Sequence, residues 1–399
     1  MGRTGIVIIG SNFGDEGKGL ITDFEVRRAS ASIVARFNGG AQAGHTVVTP
    51  TQRHVFGHIG AGTFAGAQTY FGPKFIVNPF VYHTEVKTLM DSMGRLDVSS
   101  SQKARVSTLY DMAINTLVEL KRGAARHGSC GMGINETVTR HEFYPITMGD
   151  LEIMRPVQLN SMLADIRDIW VPSRLQELGI TEVPEPYASL FTADPSHQAE
   201  TMLETEIDTH MCIQGGNVVF EGAQGLALDE FIGTFPHVTR SITGLPYAIV
   251  TAAELGVSEL EVVYVTRSYL TRHGAGPLER EGEYFGGVVE DKTNVDNQWQ
   301  GSLRFAPLNV PMLRKNIEHD IARGFFVAQA HGIKLKEPTL AITCLDHIKD
   351  RVFLADGDCS TISMERDALP GYLASALKMH VSHVSYGPES SHVQYFSPV

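Results

Sequence analysis

The stretch from Gly5 to Gly40, GIVIIGSNFGDEGKGLITDFEVRRASASIVARFNGG, decides the fold that we predict for this chain. Its first segment, Gly5 to Ile9, is apolar, rich in β-branched residues and followed by a glycine, which predicts a buried strand. After a glycine-rich loop, a helix is expected from about Gly17, and a second strand is expected from Ser32 to Asn38. Strand, glycine loop, helix and strand in this order are typical of a βαβ unit in a parallel sheet.

Later segments extend this pattern along the chain. Apolar residues at helical spacing predict a helix from Val106 to Lys121. Three more strands are expected, at Asn217 to Gly225, near Leu260 to Val265 and within Thr339 to Asp346, where the acid lies just past the strand. We therefore predict an α/β fold with a large, mostly parallel central sheet flanked by helices, a P-loop-like nucleotide-binding fold with helical insertions. Ligands of such sheets bind beyond the carboxyl ends of the strands.

The domain organisation follows from length and from the absence of linkers. A chain of 399 residues can form one large α/β domain or two ordinary ones. The sequence shows no internal repeat, low-complexity tract or clear linker, so we favour a single large domain over residues 1–399. From about 150 to 215 the pattern is mostly helical, interrupted by VPEPY, which predicts a helical subregion within that domain.

Composition excludes several classes of protein. The chain is 43% hydrophobic and 20% charged, as in a globular enzyme, and its net charge of -12 argues against a nucleic-acid partner. The N-terminus shows no signal-peptide pattern and no run of 18 apolar residues occurs, so we expect no membrane partner and a cytoplasmic location. None of the four cysteines forms a C-x-x-C pair, which disfavours a structural zinc site.

The loop GSNFGDEGKG resembles a phosphate loop but departs from the Walker A pattern. Six residues separate Gly10 from Gly17, and Gly19 stands where that pattern has Ser or Thr. Glycine amides and a helix N-terminus suit a polyphosphate, Lys18 can neutralise its charge, and Asp15 can supply the missing oxygen ligand for Mg²⁺. The alternative is a glycine-rich turn whose acidic residues are merely solvated.

Four other segments carry candidate site residues. His45, in NGGAQAGHT, can act as a general acid or donate to developing phosphate charge, and the alternative is a structural histidine. Gln224, between glycines in FEGAQG, suits a purine edge or a tight turn. Ser129, in GSCGMG, suits a monophosphate. Asp346, in TCLD, can accept from a nucleotide base or cap a helix.

Taken together, these motifs resemble the adenylosuccinate synthetase family. GDEGKG, NGGAQAGHTVV, FEGAQG followed by GTFPHVT, TRHGAGP, TCLD and SYGP occur in that family's order and at compatible spacing, from Gly10 to Pro388. The resemblance implies a ligase that joins L-aspartate to C6 of a 6-oxopurine nucleoside monophosphate. A nucleoside triphosphate first phosphorylates the 6-oxygen, and aspartate then displaces that phosphate.

The resemblance also implies site residues. Asp15, His45 and Lys18 match catalytic positions, and Asp15 with the carbonyl of Gly44 would hold Mg²⁺, the expected cofactor. The implied triphosphate-binding residues are Gly14, Glu16, Gly17, Lys18, Gly19, Gly44, His45, Thr46, Asp346, Ser385, Gly387 and Pro388. The implied monophosphate-binding residues are Asn38, Gln42, Ser129, Cys130, Gln224, Leu228 and Thr239. Family members are dimers whose sites the partner completes, so a homodimer is expected.

Departures from the family pattern bear on the substrates. The arginine-rich loop that binds aspartate is replaced by TNVDNQWQGSLRFAPLN, in which Thr293 and Arg304 are the candidate aspartate contacts. Cys344 stands where a lysine would lie along guanine, which leaves ATP or GTP open as the phosphoryl donor. The replaced loop resembles a phage and archaeal-virus branch that acts on guanylate, so we favour dGMP, with IMP as the alternative.

Two other classes remain as alternatives. A GTPase or kinase with a similar phosphate loop would need neither the Gln224 turn nor a histidine at position 45. A non-catalytic nucleotide-binding regulator would have no need of Asp15, Lys18 and His45 together. Loss of turnover with retained nucleotide binding in a His45→Ala variant separates an enzyme from these alternatives.

Overall fold

The computed structural model describes residues 3–210, 216–289, 301–357 and 360–397. Their strands are β1 Arg3–Gly10, β2 Ile33–Arg36, β3 His45–Val48, β4 Arg53–Phe56, β5 Gln68–Phe71, β6 Ile76–Val77, β7 Val98–Ser100, β8 Arg105–Val106, β9 Val218–Gly225, β10 Val257–Arg267, β11 Tyr269–Arg272, β12 Arg304–Asn309, β13 Lys334–Leu335, β14 Thr339–Thr343, β15 Arg351–Ala355, β16 Thr361–Glu365, β17 His380–Ser385 and β18 Val393–Tyr395. Their α-helices are α1 Lys18–Ala29, α2 Pro79–Met93, α3 Leu109–Arg122, α4 Ile134–His141, α5 Met148–Ile153, α6 Pro156–Asp165, α7 Val171–Glu177, α8 Tyr187–Leu190, α9 Ser196–Leu203, α10 Leu245–Glu254, α11 Val310–His331 and α12 Leu369–Leu377.

The predicted βαβ unit at the start of the chain is present as β1, α1 and β2. Gly17 precedes α1 in the left-handed conformation, with φ of 89°, which glycine adopts without steric cost. The helix ends at Ala29, and Ser30 is also left-handed. The second strand, Ile33–Arg36, is shorter at both ends than the sequence pattern predicts. The local pattern therefore located each element correctly and misjudged its ends by a few residues, as is usual for element boundaries.

A large sheet organises the molecule. Within the described residues it has ten strands, in the order β18-β17-β14-β10-β1-β9-β2-β5-β7, with β13 also beside β10. Of its described strand pairs, only β17 with β18 is antiparallel. Helices pack against the sheet through a core of buried apolar side chains on β1, β9, β10 and α10. The predicted α/β class with a mostly parallel central sheet is thus confirmed.

A second cluster of buried apolar side chains lies beneath the helices that follow β5. It includes Phe71, Tyr110, Leu163 and Trp170. Five short α-helices, α5 to α9, occupy residues 148–203 within the stretch where the sequence pattern predicts a helical subregion. In the described residues, no helix is both long enough and apolar enough to span a bilayer.

The topology brings the predicted motifs to one edge of the sheet. Because β1, β9, β10 and β14 are adjacent and parallel, their carboxyl ends lie side by side. Gly10 ends β1 and is paired with Gly225 at the end of β9 and with Val265 near the end of β10. The loops that leave these strands therefore share one edge, which is where ligands of open α/β sheets bind.

Candidate active site

The loop between β1 and α1 is held in shape by its own acid, Glu16. One oxygen of this buried carboxylate accepts hydrogen bonds from the backbone amides of Asn12 at 3.0 Å and Gly14 at 2.9 Å. The other oxygen lies 2.6 Å from Nζ of Lys18, which is also buried. Glu16 thus faces into the loop and fixes both its backbone and its lysine. The predicted triphosphate contact through Glu16 remains a prediction.

Two glycines let neighbouring segments approach this loop. A Cβ on Gly10 would lie 2.3 Å from a Glu16 carboxylate oxygen and 2.6 Å from the Gln224 carbonyl oxygen. A Cβ on Gly225 would lie 2.3 Å from the carbonyl oxygen of Asn12. Real Cβ atoms do not come this close, so the ends of β1 and β9 meet the loop only because both residues lack side chains.

Asp15 lies at the tip of the loop in a conformation that non-glycine residues adopt at a cost. Its φ is 59°, and its carbonyl oxygen accepts a hydrogen bond from Nε of Arg267. Its carboxylate oxygen Oδ2 lies 3.4 Å from Nε2 of His273, and its side chain is 24% exposed. The backbone strain therefore presents a carboxylate that is accessible and has a histidine beside it.

His45 begins β3 and is oriented by a carboxylate from β9. Its Nδ1 lies 2.7 Å from Oε1 of Glu221, and both side chains are buried. The second oxygen of Glu221 accepts from the amide of Ala61 at 3.0 Å and lies 3.7 Å from Nε of Arg36. Nε2 of His45 forms no hydrogen bond within the described residues, so it is the ring nitrogen that a ligand can use.

The electrostatics of this pair define its resting state. Burial lowers the pKa of His45, although the Glu221 carboxylate opposes that shift. Burial alone would raise the pKa of Glu221, but its interactions with His45 and Arg36 outweigh burial and lower that pKa. The low pKa of His45 favours an uncharged ring in the absence of ligand, and such a ring can donate from Nδ1 to the Glu221 carboxylate. An anion at Nε2 would favour protonation of the ring, which Glu221 would then stabilise.

Side-chain amide atoms without described hydrogen-bond partners lie at the turn that ends β9 and on Gln42. Asn38 is fully buried and pins this turn, because its side chain donates to the Ala223 carbonyl at 3.1 Å and accepts from the Ala223 amide at 2.8 Å. Gln224 follows with φ of 62°, and its Oε1 is buried with no partner among the described residues. Both polar atoms of the Gln42 side chain are likewise buried without described partners. Such unpaired amide atoms can donate to or accept from a ligand or water.

The remaining predicted monophosphate contacts lie in two nearby segments. The Thr239 amide donates to the Leu228 carbonyl at 2.8 Å, so these two residues are brought together. Ser129 donates from Oγ to Oδ1 of Asn115 at 2.9 Å. Its loop contacts the segment 274–276 through the hydrogen bond from the Ala275 amide to the carbonyl of residue 127, at 3.1 Å. Cys130, in the same loop, is a free thiol whose pKa burial raises.

Arg304 reaches the same segment from β12. Its Nη1 donates to the carbonyls of Gly274 at 2.9 Å and Gly276 at 3.0 Å, while Nε donates to Glu281 at 2.9 Å. A second nitrogen contacts the other Glu281 oxygen at 2.5 Å, so the guanidinium holds a carboxylate in a two-bond arrangement. The other predicted aspartate contact, Thr293, lies outside the described residues.

The predicted base-binding residues lie together at the next strand ends. Asp346 follows β14 and is exposed, and Ser385 ends the neighbouring β17. Ser385 donates from Oγ to the Gly387 carbonyl at 2.7 Å, which shapes the turn before Pro388. Oγ of Thr343, the last residue of β14, donates to the Glu16 carbonyl at 2.7 Å. The phosphate loop is therefore tied directly to the strand that leads to Asp346.

Four residues of this arrangement were not singled out from the sequence: Glu221, Arg267, His273 and Glu281. Two of them lie inside quoted motifs, Glu221 in FEGAQG and His273 in TRHGAGP. A charged residue within an otherwise apolar strand is a signal that could have identified Glu221, because buried carboxylates need partners. Glu281 lies on the surface and gives no comparable signal.

Comparisons with known proteins agree with this arrangement. The fold and the site define a nucleotide-binding α/β enzyme with a modified phosphate loop. The family model described as adenylosuccinate synthetase matches residues 7–327. This chain belongs to the adenylosuccinate synthetase family, and it is a ligase of that type, which forms a carbon–nitrogen bond.

Curated relatives share about a quarter to a third of the aligned residues. An adenylosuccinate synthetase from Borrelia turicatae is 26% identical over 322 residues, which cover 77% of this chain and 70% of the relative. One from Haloarcula marismortui is 30% identical over 319 residues, covering 74% and 67%. One from Synechococcus elongatus is 32% identical over 291 residues, covering 69% and 62%.

Two solved structures share the fold over nearly the whole chain. Fully ligated adenylosuccinate synthetase from Plasmodium falciparum has a TM-score of 0.73 at 19% identity, covering 98% of this chain and 99% of that one. The cyanophage S-2L succinoaminodeoxyadenylate synthetase, bound to dGMP and to dATP as an energy donor, has a TM-score of 0.60 at 16% identity, covering 99% and 96%.

Proposed function

We propose that this protein joins L-aspartate to C6 of dGMP, through a 6-phosphoryl intermediate formed with ATP or GTP, and so makes an N6-succino-2-aminodeoxyadenylate. The product would be a precursor of 2-aminoadenine in DNA. IMP is the alternative substrate, and the enzyme would then make adenylosuccinate. A homodimer and a cytoplasmic location, in the host if the protein is phage-encoded, are parts of the same proposal.

The observation that carries this proposal is the placement of two different proton-handling groups around one phosphate loop. Asp15 offers an accessible carboxylate at the loop tip. His45 packs beside the same loop, because a Cβ on Gly19 would lie only 3.0 Å from the His45 Cβ. A site that phosphorylates a purine oxygen needs a base for the ring proton and a donor for the phosphates, and these residues supply both.

In the first step, we assign Asp15 as the base that accepts the proton of ring N1. The 6-oxygen then attacks the γ-phosphorus, the bond between that phosphorus and the β-phosphate oxygen breaks, and a nucleoside diphosphate leaves. His45 would donate from Nε2 to the phosphate oxygens, with Glu221 stabilising the protonated ring. Lys18 and the loop amides would neutralise charge on the transferred group.

The residues present also fit Mg²⁺. Within the described residues, no three His, Cys, Asp or Glu side chains form a metal-binding cluster, and Asp15 stands as a single accessible carboxylate. One carboxylate together with a carbonyl, such as that of Gly44, suits Mg²⁺, which keeps several waters and takes substrate phosphates as its other ligands. When bound there, the ion would neutralise charge on the triphosphate.

In the second step, the neutral amino group of L-aspartate attacks C6, the bond between C6 and the phosphorylated oxygen breaks, and inorganic phosphate leaves while one amine proton passes to solvent. We assign Arg304 to a carboxylate of the incoming aspartate. Its two-bond contact with Glu281 supports this assignment, because the guanidinium already holds a carboxylate in the geometry that the substrate would need. The substrate would displace Glu281 on binding.

The preference for dGMP over IMP rests on two observations. The segment 292–309 lacks the arginine-rich loop expected of the family, and the fold resembles that of a cyanophage enzyme whose structure holds dGMP and dATP. Asp15 is assigned to ring N1, which is bonded to C2. With dGMP as substrate, the 2-amino group would therefore lie near the Asp15 carboxylate. An amino group donates hydrogen bonds that a carboxylate can accept, which is compatible with that placement.

One assay tests the proposal. The purified protein is incubated with L-aspartate, Mg²⁺ and either dGMP, GMP or IMP, each with ATP or GTP, and succino-nucleotides are measured by mass spectrometry. We expect product from dGMP with at least one of the two triphosphates. Product from IMP alone would show that the substrate assignment is wrong, and no product in any combination would show that the proposed reaction is wrong.

A further inference from the structure

A cavity with a mainly apolar wall and several charged side chains at its edge lies apart from the loop between β1 and α1. Its volume is about 560 Å³, and it lies between α10 and the segments that follow β5 and β7. Lys74, Lys103 and Arg105 line it, together with Gln102, Thr147 and Glu254. None of the residues assigned above to catalysis or substrate binding lines this cavity.

The cavity carries positive charge that is not ion-paired within the described residues. Lys74, Lys103 and Arg105 have no ion-pair partner among the described residues. The carboxylate in the lining, Glu254, accepts a hydrogen bond from Oγ of Ser101 at 2.6 Å. Three cations facing one carboxylate form a local excess of positive charge, in a chain whose net charge is -12. A local positive site on an acidic protein attracts small anions.

The pKa shift of Lys74 agrees with repulsion by its two cationic neighbours. Burial lowers the pKa of Lys74, and the charges of Arg105 and Lys103 lower it further. Burial also lowers the pKa of Arg105. An anion held between these groups would offset both the repulsion and the loss of solvation, since opposite charge favours the ionised form of a lysine or arginine.

The shape of the cavity limits the class of ligand. Its volume falls in the range of pockets for drug-sized molecules and exceeds what a bare phosphate ion fills. Val250 and Ala253 of α10 form an apolar part of the cavity wall. Gln102 and Thr147 contribute a side-chain amide and a hydroxyl to its lining. We propose that this cavity binds a small phosphorylated metabolite, with its phosphate on Lys74, Lys103 and Arg105 and its organic part against α10.

This proposal is independent of the reaction proposed above. It requires neither Asp15 nor His45, and it stands whichever purine the enzyme uses. Lys103 is exposed and lies outside the residues assigned to catalysis, so changing it tests the cavity with little risk to folding.

Ribose 5-phosphate is the probe, titrated into wild-type protein and variants by calorimetry at constant ionic strength. It carries a phosphate monoester but no purine base. We expect Lys103→Glu to weaken one binding event by at least about tenfold, because it reverses a charge next to the bound phosphate. Lys315→Glu, an equal charge change at an exposed position of α11, is the control and should leave that event unchanged.

Two further measurements make the outcome decisive. Thr239→Val alters a predicted monophosphate contact of the active site, and the cavity event should persist in that variant. Light scattering reports the oligomeric state, and Lys103→Gln replaces Lys103→Glu if the latter does not fold. Binding unaffected at position 103, binding weakened equally by Lys315→Glu, or a change of oligomeric state with Lys103→Glu would each overturn the proposal.

Discussion

Two histidine–carboxylate pairs lie in the active site, and they differ in which partner is accessible. In the pair of His45 with Glu221, the contact is 2.7 Å, the acid is fully buried and the histidine keeps one nitrogen for a ligand. In the pair of His273 with Asp15, the contact is 3.4 Å and the acid, at the loop tip, is partly exposed. We therefore propose opposite roles for the same two chemical groups: the histidine is assigned the chemistry in the first pair, and the carboxylate is assigned it in the second.

Of the variants proposed here, removal of His45 should have the largest effect on kcat. A small effect would contradict the assignment of His45 as the reacting member of its pair. We expect His45→Ala to lower kcat by on the order of 10²- to 10⁴-fold, because the proton donor to the phosphates is lost. Nucleotide affinity should change little, since the loop amides and Lys18 remain. Steady-state kinetics and equilibrium binding of the triphosphate measure the two effects. Unchanged kcat would remove His45 from the mechanism.

Neutralising Glu221 tests whether this acid acts through His45. We expect Glu221→Gln to lower kcat by about 100-fold, because a buried carboxylate that orients a catalytic imidazole and stabilises its charged form contributes strongly. The pH profile of kcat should also shift, since loss of the carboxylate removes the interaction that raises the pKa of His45. If Glu221 had only a structural role, the pH profile of kcat would stay unchanged in this variant.

Glu85 provides a matched control for that variant. It is also a buried carboxylate beside a histidine, with one oxygen 3.6 Å from Nδ1 of His58, and it accepts the His58 amide at 2.7 Å. Glu85→Gln should lower the free energy of unfolding but should not change the pH profile of kcat. If both variants change kcat and its pH profile equally, the role assigned to Glu221 is wrong.

Variants of His273 test whether this histidine positions the Asp15 carboxylate. We expect His273→Val to lower kcat several-fold, roughly in line with the loss of one polar contact of about 1 kcal/mol at the Asp15 carboxylate. His273→Gln, which can still donate a hydrogen bond, should recover most of that loss. KM for the triphosphate should stay nearly constant in both variants. Equal kcat in the valine and glutamine variants would contradict a positioning role.

The smallest expected effect concerns Glu281. Exposed ion pairs contribute about 0 to 1 kcal/mol, so Glu281→Gln should lower KM for L-aspartate by no more than about fivefold while kcat changes little. The physical reason is that Arg304 would no longer be occupied by a competing carboxylate. An Arg304→Lys variant should raise the same KM, because lysine cannot form the two-bond contact. A KM that does not respond to either change would refute the assignment of Arg304.

Sequence patterns revealed the parts of this molecule that depend on local order. Gly5 to Gly40 contains a complete strand, loop, helix and strand, so periodicity and glycine placement alone predicted the βαβ unit and the loop with Asp15. Gly10 and Gly225 show why the motifs have their glycines, since each position has no room for a Cβ. The predicted catalytic and substrate-binding roles of the individual residues stay predictions.

The contacts between distant residues could not be predicted in this way. Glu221 and His45 are 176 residues apart, and their pairing follows from the order of strands in the sheet, which spacing along the chain does not encode. The Arg267 contact with the Asp15 carbonyl likewise spans 252 residues. These partners decide which group is buried and which is accessible, and therefore which member of each pair can do chemistry.

The hydrogen bond from Thr343 to the carbonyl of Glu16 has a consequence for the length of the phosphoryl donor. It fastens the strand that leads to Asp346 to the loop that carries Asp15, so the segments proposed to bind the base and the phosphates of the donor are directly connected. If these segments bind the donor as proposed, this connection sets the distance between its nucleobase and its terminal phosphate. A donor with the same base and one phosphate fewer would fill the base end and leave the reacting end short.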